Sequence, residues 1–205
     1  MTHYIRHETE WLFPVPLWKF SLRDYKNINK KIEKRIYQKS KEEKTRLASN
    51  EGGWHSIGNM YDDPVIEPVT TLISQGINEI CLESSMTYGT YKTFLWSNLN
   101  RSGDYNTMHV HPDSHLSGVY YVKVPEGDCG ELRLHNPMQL YNYPNSQGSH
   151  APYTMPIANI KSEEGVLLIF RSPIMHDVTR NNTQEDRISV SFNIVFDSIF
   201  VNLYK

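Results

Sequence analysis

The sequence predicts a mostly β protein with helices at its N-terminal end, its β part a sandwich or jelly roll. Apolar residues recur at helical spacing in two stretches before residue 90. Beyond about residue 90 the apolar period drops to two. About eight short alternating segments then follow, punctuated by turn clusters such as Arg101-Ser-Gly-Asp104, Pro125-Glu-Gly-Asp128 and Asn181-Asn-Thr-Gln184.

Taken in order, Leu12-Phe13-Pro14-Val15-Pro16-Leu17-Trp18 is apolar and broken by proline, so it should be extended and packed on something. Tyr25, Ile28, Ile32 and Ile36 then form one apolar stripe, which predicts an amphipathic helix from about Asp24 to Lys44. The charge run over this helix (KKIEKRIYQKSKEEK) is mixed in sign, which is the pattern of a solvated helix face rather than a binding patch. A second helix should start at Asp63-Pro64 or at Glu67-Pro68, because proline suits a first helical turn. Ile66, Val69, Ile73, Ile77 and Ile80 give its buried face. Residues 1–90 therefore read as a helical wrapping layer, 91–205 as the β core, and the whole chain 1–205 as one domain.

Candidate strands are 91–100, 105–111, 116–123, 130–135, 155–161, 165–170, 174–179 and 187–196. The stretch between His135 and Met155 is long for a loop, and long loops over barrels often act as lids or substrate walls.

Composition excludes several classes of function. Lys plus Arg number 21 and Asp plus Glu 23, a net charge of -2, which gives no electrostatic reason to expect a nucleic acid or an anionic membrane as partner. No apolar run approaches the roughly 18–20 residues that span a bilayer. The N-terminal residues lack the apolar stretch of a signal peptide, and the expected location is cytoplasmic. Cys81 and Cys129 stand in no metal-ligand spacing and make no disulfide scaffold.

Three of the nine histidines draw attention. His109 and His111 lie two apart in a strand-like segment, so their rings leave the same face and suit one divalent cation. His176 follows the apolar strand 165–170, where a neighbouring strand could bring in a third ligand. A His-x-His pair alone is a weak signal, since such pairs are common on exposed strands. The last predicted strand adds an independent one. Ile188, Val190, Phe192 and Ile194 form one face of it, and Arg187, Ser189, Ser191 and Asn193 the other. That polar face is either a wet outer surface or a polar barrel interior with an arginine at its end. Periodicity does not choose between them. An arginine fork matches a carboxylate, and such a bond contributes roughly 1.5–3 kcal/mol.

The ordered set resembles one superfamily. His109-Val-His111-Pro-Asp113-Ser114-His-Leu-Ser117-Gly-Val-Tyr120-Tyr121, then Phe170-Arg-Ser-Pro-Ile-Met-His176, then Arg187-Ile-Ser189, is similar to the 2-oxoglutarate/Fe(II) oxygenases. More narrowly it resembles oxygenases of marine bacteria and their phages that share the His-x-His-Pro and Ser-Gly-Val-Tyr-Tyr segment. The resemblance reaches upstream to Trp96-Ser-Asn98 and Asn106, and weakly to Leu12-Phe13-Pro14.

The resemblance implies a double-stranded β-helix, a cupin-like jelly roll with helices packed on one side. It implies an enzyme that uses Fe(II), 2-oxoglutarate and O2 to hydroxylate a primary substrate that the sequence does not identify, releasing succinate. His176 takes the place of the distal metal ligand, Arg187 that of the arginine on the far carboxylate, Ser189 its assisting hydroxyl and Tyr121 a cosubstrate tyrosine. Asn98 and Asn193 complete the expected cosubstrate contacts. Where the superfamily has His-x-Asp/Glu, this chain has two possible registers. Either His109 and His111 are the pair, with a neutral ring replacing the carboxylate, or His111 and Asp113 are. The first is preferred, because the narrower group shows His-x-His and Pro112 fits a strand end. Trp96, Tyr120, Tyr141, Tyr143 and Tyr153 are the aromatics that could line the substrate side. Two other functions stay open: a cupin-like three-His dioxygenase that does not use 2-oxoglutarate, and a jelly-roll binding module without catalysis. The exposed helical layer could support a homodimer.

Overall fold

The chain runs β1 (Leu17–Ser21), α1 (Tyr25–Glu42), β2 (Asn50–Glu51), β3 (Trp54–His55), α2 (Glu67–Glu83), β4 (Met86–Tyr88), β5 (Tyr91–Asn100), β6 (Tyr105–His109), β7 (Leu116–Lys123), β8 (Leu132–His135), β9 (Ile157–Ile160), β10 (Val166–Arg171), β11 (His176–Val178), β12 (Arg187–Phe196) and β13 (Ile199–Val201). The computed structural model describes residues 15–137 and 155–201. Each of the eight predicted strands corresponds to one observed strand, with ends shifted by a few residues. The segment predicted as 105–111 stops at His109, because Pro112 and Asp113 lie in a turn.

The N-terminal part is not purely a helical layer. Residues 17–21 form β1, the edge of a six-stranded antiparallel sheet in the order β1-β10-β7-β12-β5-β3. β2 is the edge of a second, five-stranded sheet in the order β2-β6-β11-β8-β9. β4 and β13 make a separate two-stranded ribbon. These short pieces lack an alternating pattern long enough to show in sequence. Leu12-Phe13-Pro14 lie outside the described residues.

Both helices form where the apolar spacing places them. Ile32 and Ile36 of α1 are fully buried, and Ile28 packs beside them. The Asp63 side chain accepts a hydrogen bond from the Val65 N–H and caps a short 3-10 turn, Pro64–Ile66, that leads into α2. Both predicted start signals are therefore used in succession. Val69, Ile73, Ile77 and Ile80 of α2 are at most 1% exposed. Burial of side chains of this size stabilises the fold by about 1.5–3 kcal/mol each. Among the described residues no helix is long and apolar enough to cross a membrane.

The six-stranded sheet is the middle layer. Its helix-side face carries Ile188, Val190, Phe192 and Ile194 of β12, all in one apolar cluster with the α1 and α2 residues. Its other face meets the five-stranded sheet through Tyr121, Leu132, Leu134, Leu168 and Phe170. Strand alternation thus sends the polar face of β12 between the two sheets. Tyr120 and Tyr121 separate in the same way. Tyr120 is fully buried on the helix side and donates to Asn29 Oδ1 at 2.7 Å. Asn29 in turn donates to the Val122 carbonyl at 2.8 Å, fastening α1 to β7. The expectation that Tyr120 lines a substrate side is therefore corrected.

A Cβ on Gly118 would lie 2.3 Å from the Leu168 carbonyl oxygen and 2.4 Å from the Phe192 ring. Glycine at that point lets β10 and Phe192 close on β7.

Candidate metal centre

β6 and β11 pair antiparallel, with His109 opposite His176 and Asn106 opposite Val178. Three steps of β6 thus face two of β11. This bulge breaks the simple alternation of β6, and both Asn106 and His109 line the cleft between the sheets. His111 follows β6 in a turn, where its N–H bonds the Ser172 carbonyl at 3.2 Å.

The ligand-type atoms of His109, His111 and His176 lie within 4.8 Å of one another. Ring centroids are 5.0 Å apart for His109 and His111, 4.3 Å for His109 and His176, and 5.1 Å for His111 and His176. His109 Nδ1 lies 2.7 Å from the Thr107 carbonyl, and His176 Nδ1 lies 2.8 Å from the Ile174 carbonyl. A carbonyl only accepts, so each Nδ1 carries the proton and each Nε2 keeps its lone pair for a cation. Burial, then the charge of His109, pushes His176 down to about 3 and His111 down to about 4. Those rings are neutral near neutral pH, the state that ligates.

Among the described residues no carboxylate joins this group. Asp113 is exposed in the turn after His111. Asp177, next to His176, faces away and is held by Arg133 Nε at 2.6 Å and His135 Nε2 at 2.7 Å. Burial works to raise the Asp177 carboxyl, but the hydrogen bonds from Arg133 and His135 outweigh it and hold it below the usual range. His115 is exposed, and its Nδ1 accepts from the Phe196 N–H.

Arg187 lines the same cleft and is 2% exposed. Its Nη1 donates to the Cys129 carbonyl at 3.1 Å, while its Nε is buried without a partner. Burial lowers its pKa, with Tyr121 and Cys129 acting the other way. A buried guanidinium with an open donor is costly, and an anionic ligand would offset the cost. Of the two readings of the polar β12 face, the interior one is therefore what the fold shows.

Ser189 stands opposite Asn98 of β5 and Tyr121 of β7, and all three line the cleft. Asn98 Nδ2 donates to Ser191 Oγ at 3.0 Å. Tyr121 is 4% exposed, and burial pushes its phenol up. Asn193 departs from expectation: its Oδ1 accepts from Ser117 Oγ at 2.8 Å, and it is not among the residues that line the cleft. Trp96 does line it, with its ring 6.0 Å from that of His111 and tilted to it, and stacked against His55 at 5.7 Å. Tyr141, Tyr143 and Tyr153 lie outside the described residues, as does most of the long stretch before Met155. Sequence reasoning missed Ser49 and Asn100. Asn100 stands opposite Arg187 in the β5–β12 register, and Ser49 accepts from Asn106 Nδ2 at 3.2 Å. Neither sits in a pattern that distinguishes it from a surface residue.

The cleft offers three imidazoles, a set that suits a first-row divalent ion, and a buried cation with a free donor that suits a carboxylate. The residues therefore fit Fe(II) with 2-oxoglutarate, with one departure, that among the described residues no carboxylate joins the three histidines.

Residues 94–193 match the model of a family described as "Putative 2OG-Fe(II) oxygenase". No curated protein matches the sequence. Among solved structures, a prolyl-4-hydroxylase of Pseudomonas putida is 13% identical with a TM-score of 0.62, covering 88% of this chain and 92% of its own. The non-heme alpha-ketoglutarate-dependent epimerase SnoN from nogalamycin biosynthesis is 12% identical with a TM-score of 0.65, over 90% of this chain and 78% of its own. HygX from Streptomyces hygroscopicus, solved with nickel and 2-oxoglutarate bound, is 8% identical with a TM-score of 0.62, over 93% and 85%. At these identities the likeness is one of fold.

Proposed function

We propose that this chain, whose residues 94–193 match the 2OG-Fe(II) oxygenase family model, is an enzyme that hydroxylates a primary substrate and converts 2-oxoglutarate to succinate and CO2. In this reading His109, His111 and His176 hold Fe(II) through their free nitrogens. Arg187 pairs with the far carboxylate of 2-oxoglutarate, and Ser189 and Tyr121 bring hydroxyls to the same end. Bound Fe(II) supplies the activation of O2 by electrons from the oxo acid. The protein orients both ligands, excludes water by burying the Arg187 end, and presents Trp96 on the wall beside the metal ligands. The carrying observation is the Arg187 Nε, buried and unpartnered in the cleft that the three histidines share.

The test is turnover of 2-oxoglutarate by the purified enzyme with Fe(II) and O2, followed by succinate. Uncoupled succinate formation that stops on chelation is expected. Metal-dependent O2 uptake without succinate would instead favour the three-His dioxygenase that oxidises its substrate directly, which the absence of a carboxylate near the histidines among the described residues supports. Ligand binding indifferent to chelation would mark a binding module.

A further inference from the structure

An arginine side chain has several free torsions, so one that reads a carboxylate deep in a cleft has to be aimed. We propose that the Cys129–Gly130 turn is the positioning clamp of Arg187. This rests on the reading of Arg187 as the 2-oxoglutarate carboxylate group and extends it to residues that touch neither metal nor cosubstrate. The Cys129 carbonyl takes one terminal nitrogen of the fork at 3.1 Å, which leaves Nε for a ligand.

Gly130 leaves the room that the fork needs. Its φ is +90°, and a Cβ there would stand 2.6 Å from Arg187 Nη1 and 2.4 Å from the Thr179 carbonyl oxygen. The turn cannot easily retreat from such a group. Ser162 Oγ donates to the Gly130 carbonyl at 3.1 Å. The next residue, Glu131, exchanges hydrogen bonds with Thr179: its N–H donates to Thr179 Oγ1 at 2.8 Å, and its carbonyl accepts from the Thr179 N–H at 3.0 Å. With backbone on one side, the guanidinium is what has to move. Gly127 provides an internal comparison. Its φ is +95°, yet a Cβ there would meet only the Thr183 methyl, at 3.7 Å. Both positions would hold alanine at a similar positive φ, and only one of them touches Arg187.

The experiment compares wild type, Gly127→Ala and Gly130→Ala by anaerobic calorimetric titration, first with Fe(II) and then with 2-oxoglutarate. Gly130→Ala is expected to bind Fe(II) as wild type does but 2-oxoglutarate roughly tenfold more weakly, with Gly127→Ala like wild type. Equal 2-oxoglutarate affinity in all three overturns the clamp and leaves the proposed function standing. Equal losses in both variants assign the effect to backbone strain and also overturn it. A wild type that does not bind 2-oxoglutarate overturns the function and the clamp together. Should Gly130→Ala fail to fold, arginine ¹⁵N spectra of the wild type decide, with Arg187 assigned by Arg187→Lys. A slowly rotating guanidinium before 2-oxoglutarate is added supports the clamp; a rotationally averaged one overturns it.

Discussion

Arg187 carries a full charge at 2% exposure with one donor unused, so its removal should cost binding more than folding. Arg187→Ala is expected to weaken 2-oxoglutarate about 100-fold with the thermal midpoint nearly unchanged, read by titration and calorimetry. An unchanged cosubstrate requirement would contradict the role. His176→Ala is expected to reduce iron well below one per chain by elemental analysis, because its ring is the most buried of the three. His55 gives a prediction in pH. Burial lowers its pKa from 6.5, so the folded protein keeps it neutral while the unfolded chain takes up a proton below that value. Stability from this site is whole above about pH 6.5 and declines as pH falls toward the depressed folded value. His55→Phe, which keeps a ring against Trp96, should flatten the fall in thermal midpoint between about pH 7 and 5. At this scale the sequence was informative about residue type and poor about surroundings. His109, His111, His176 and Arg187 stood out by order and spacing. Asn193 shares the strand face of Arg187, and only the position of Ser117 across the sheet shows that it spends its oxygen there.

The strands from 91 onward and both helices were legible because each is long enough to show its period. Three features were not. β1 to β4 are too short or too broken by proline to show a period. The bulge in β6, which lets Asn106 and His109 share the cleft, depends on the partner strand β11. The choice between a wet and a buried polar face of β12 depends on the second sheet, which no single strand reports. The helix layer should matter for stability rather than for the metal. Ile77→Ala, at a fully buried position, is expected to cost about 2–5 kcal/mol in denaturant unfolding while the folded fraction keeps its iron stoichiometry. Loss of iron from the folded variant would show that α2 shapes the site after all.

The molecule as a whole is a three-layer stack: helices, a six-stranded sheet, and a five-stranded sheet. One interface is apolar and holds the fold together. The other opens into a cleft where the five-stranded sheet brings His109 and His176 and the six-stranded sheet brings Arg187, Ser189, Asn98 and Tyr121. Neither sheet alone makes a site, which is why ligands scattered from residue 98 to residue 189 meet only in the folded chain. The claim that metal and cosubstrate share this cleft is tested most directly by adding 2-oxoglutarate to the Fe(II) protein without oxygen and watching the visible spectrum. A weak charge-transfer band is expected that saturates at one equivalent in the wild type, is lost in His176→Ala, and needs far more 2-oxoglutarate in Arg187→Ala. A wild-type protein that binds Fe(II) but develops no band at any 2-oxoglutarate concentration would contradict it.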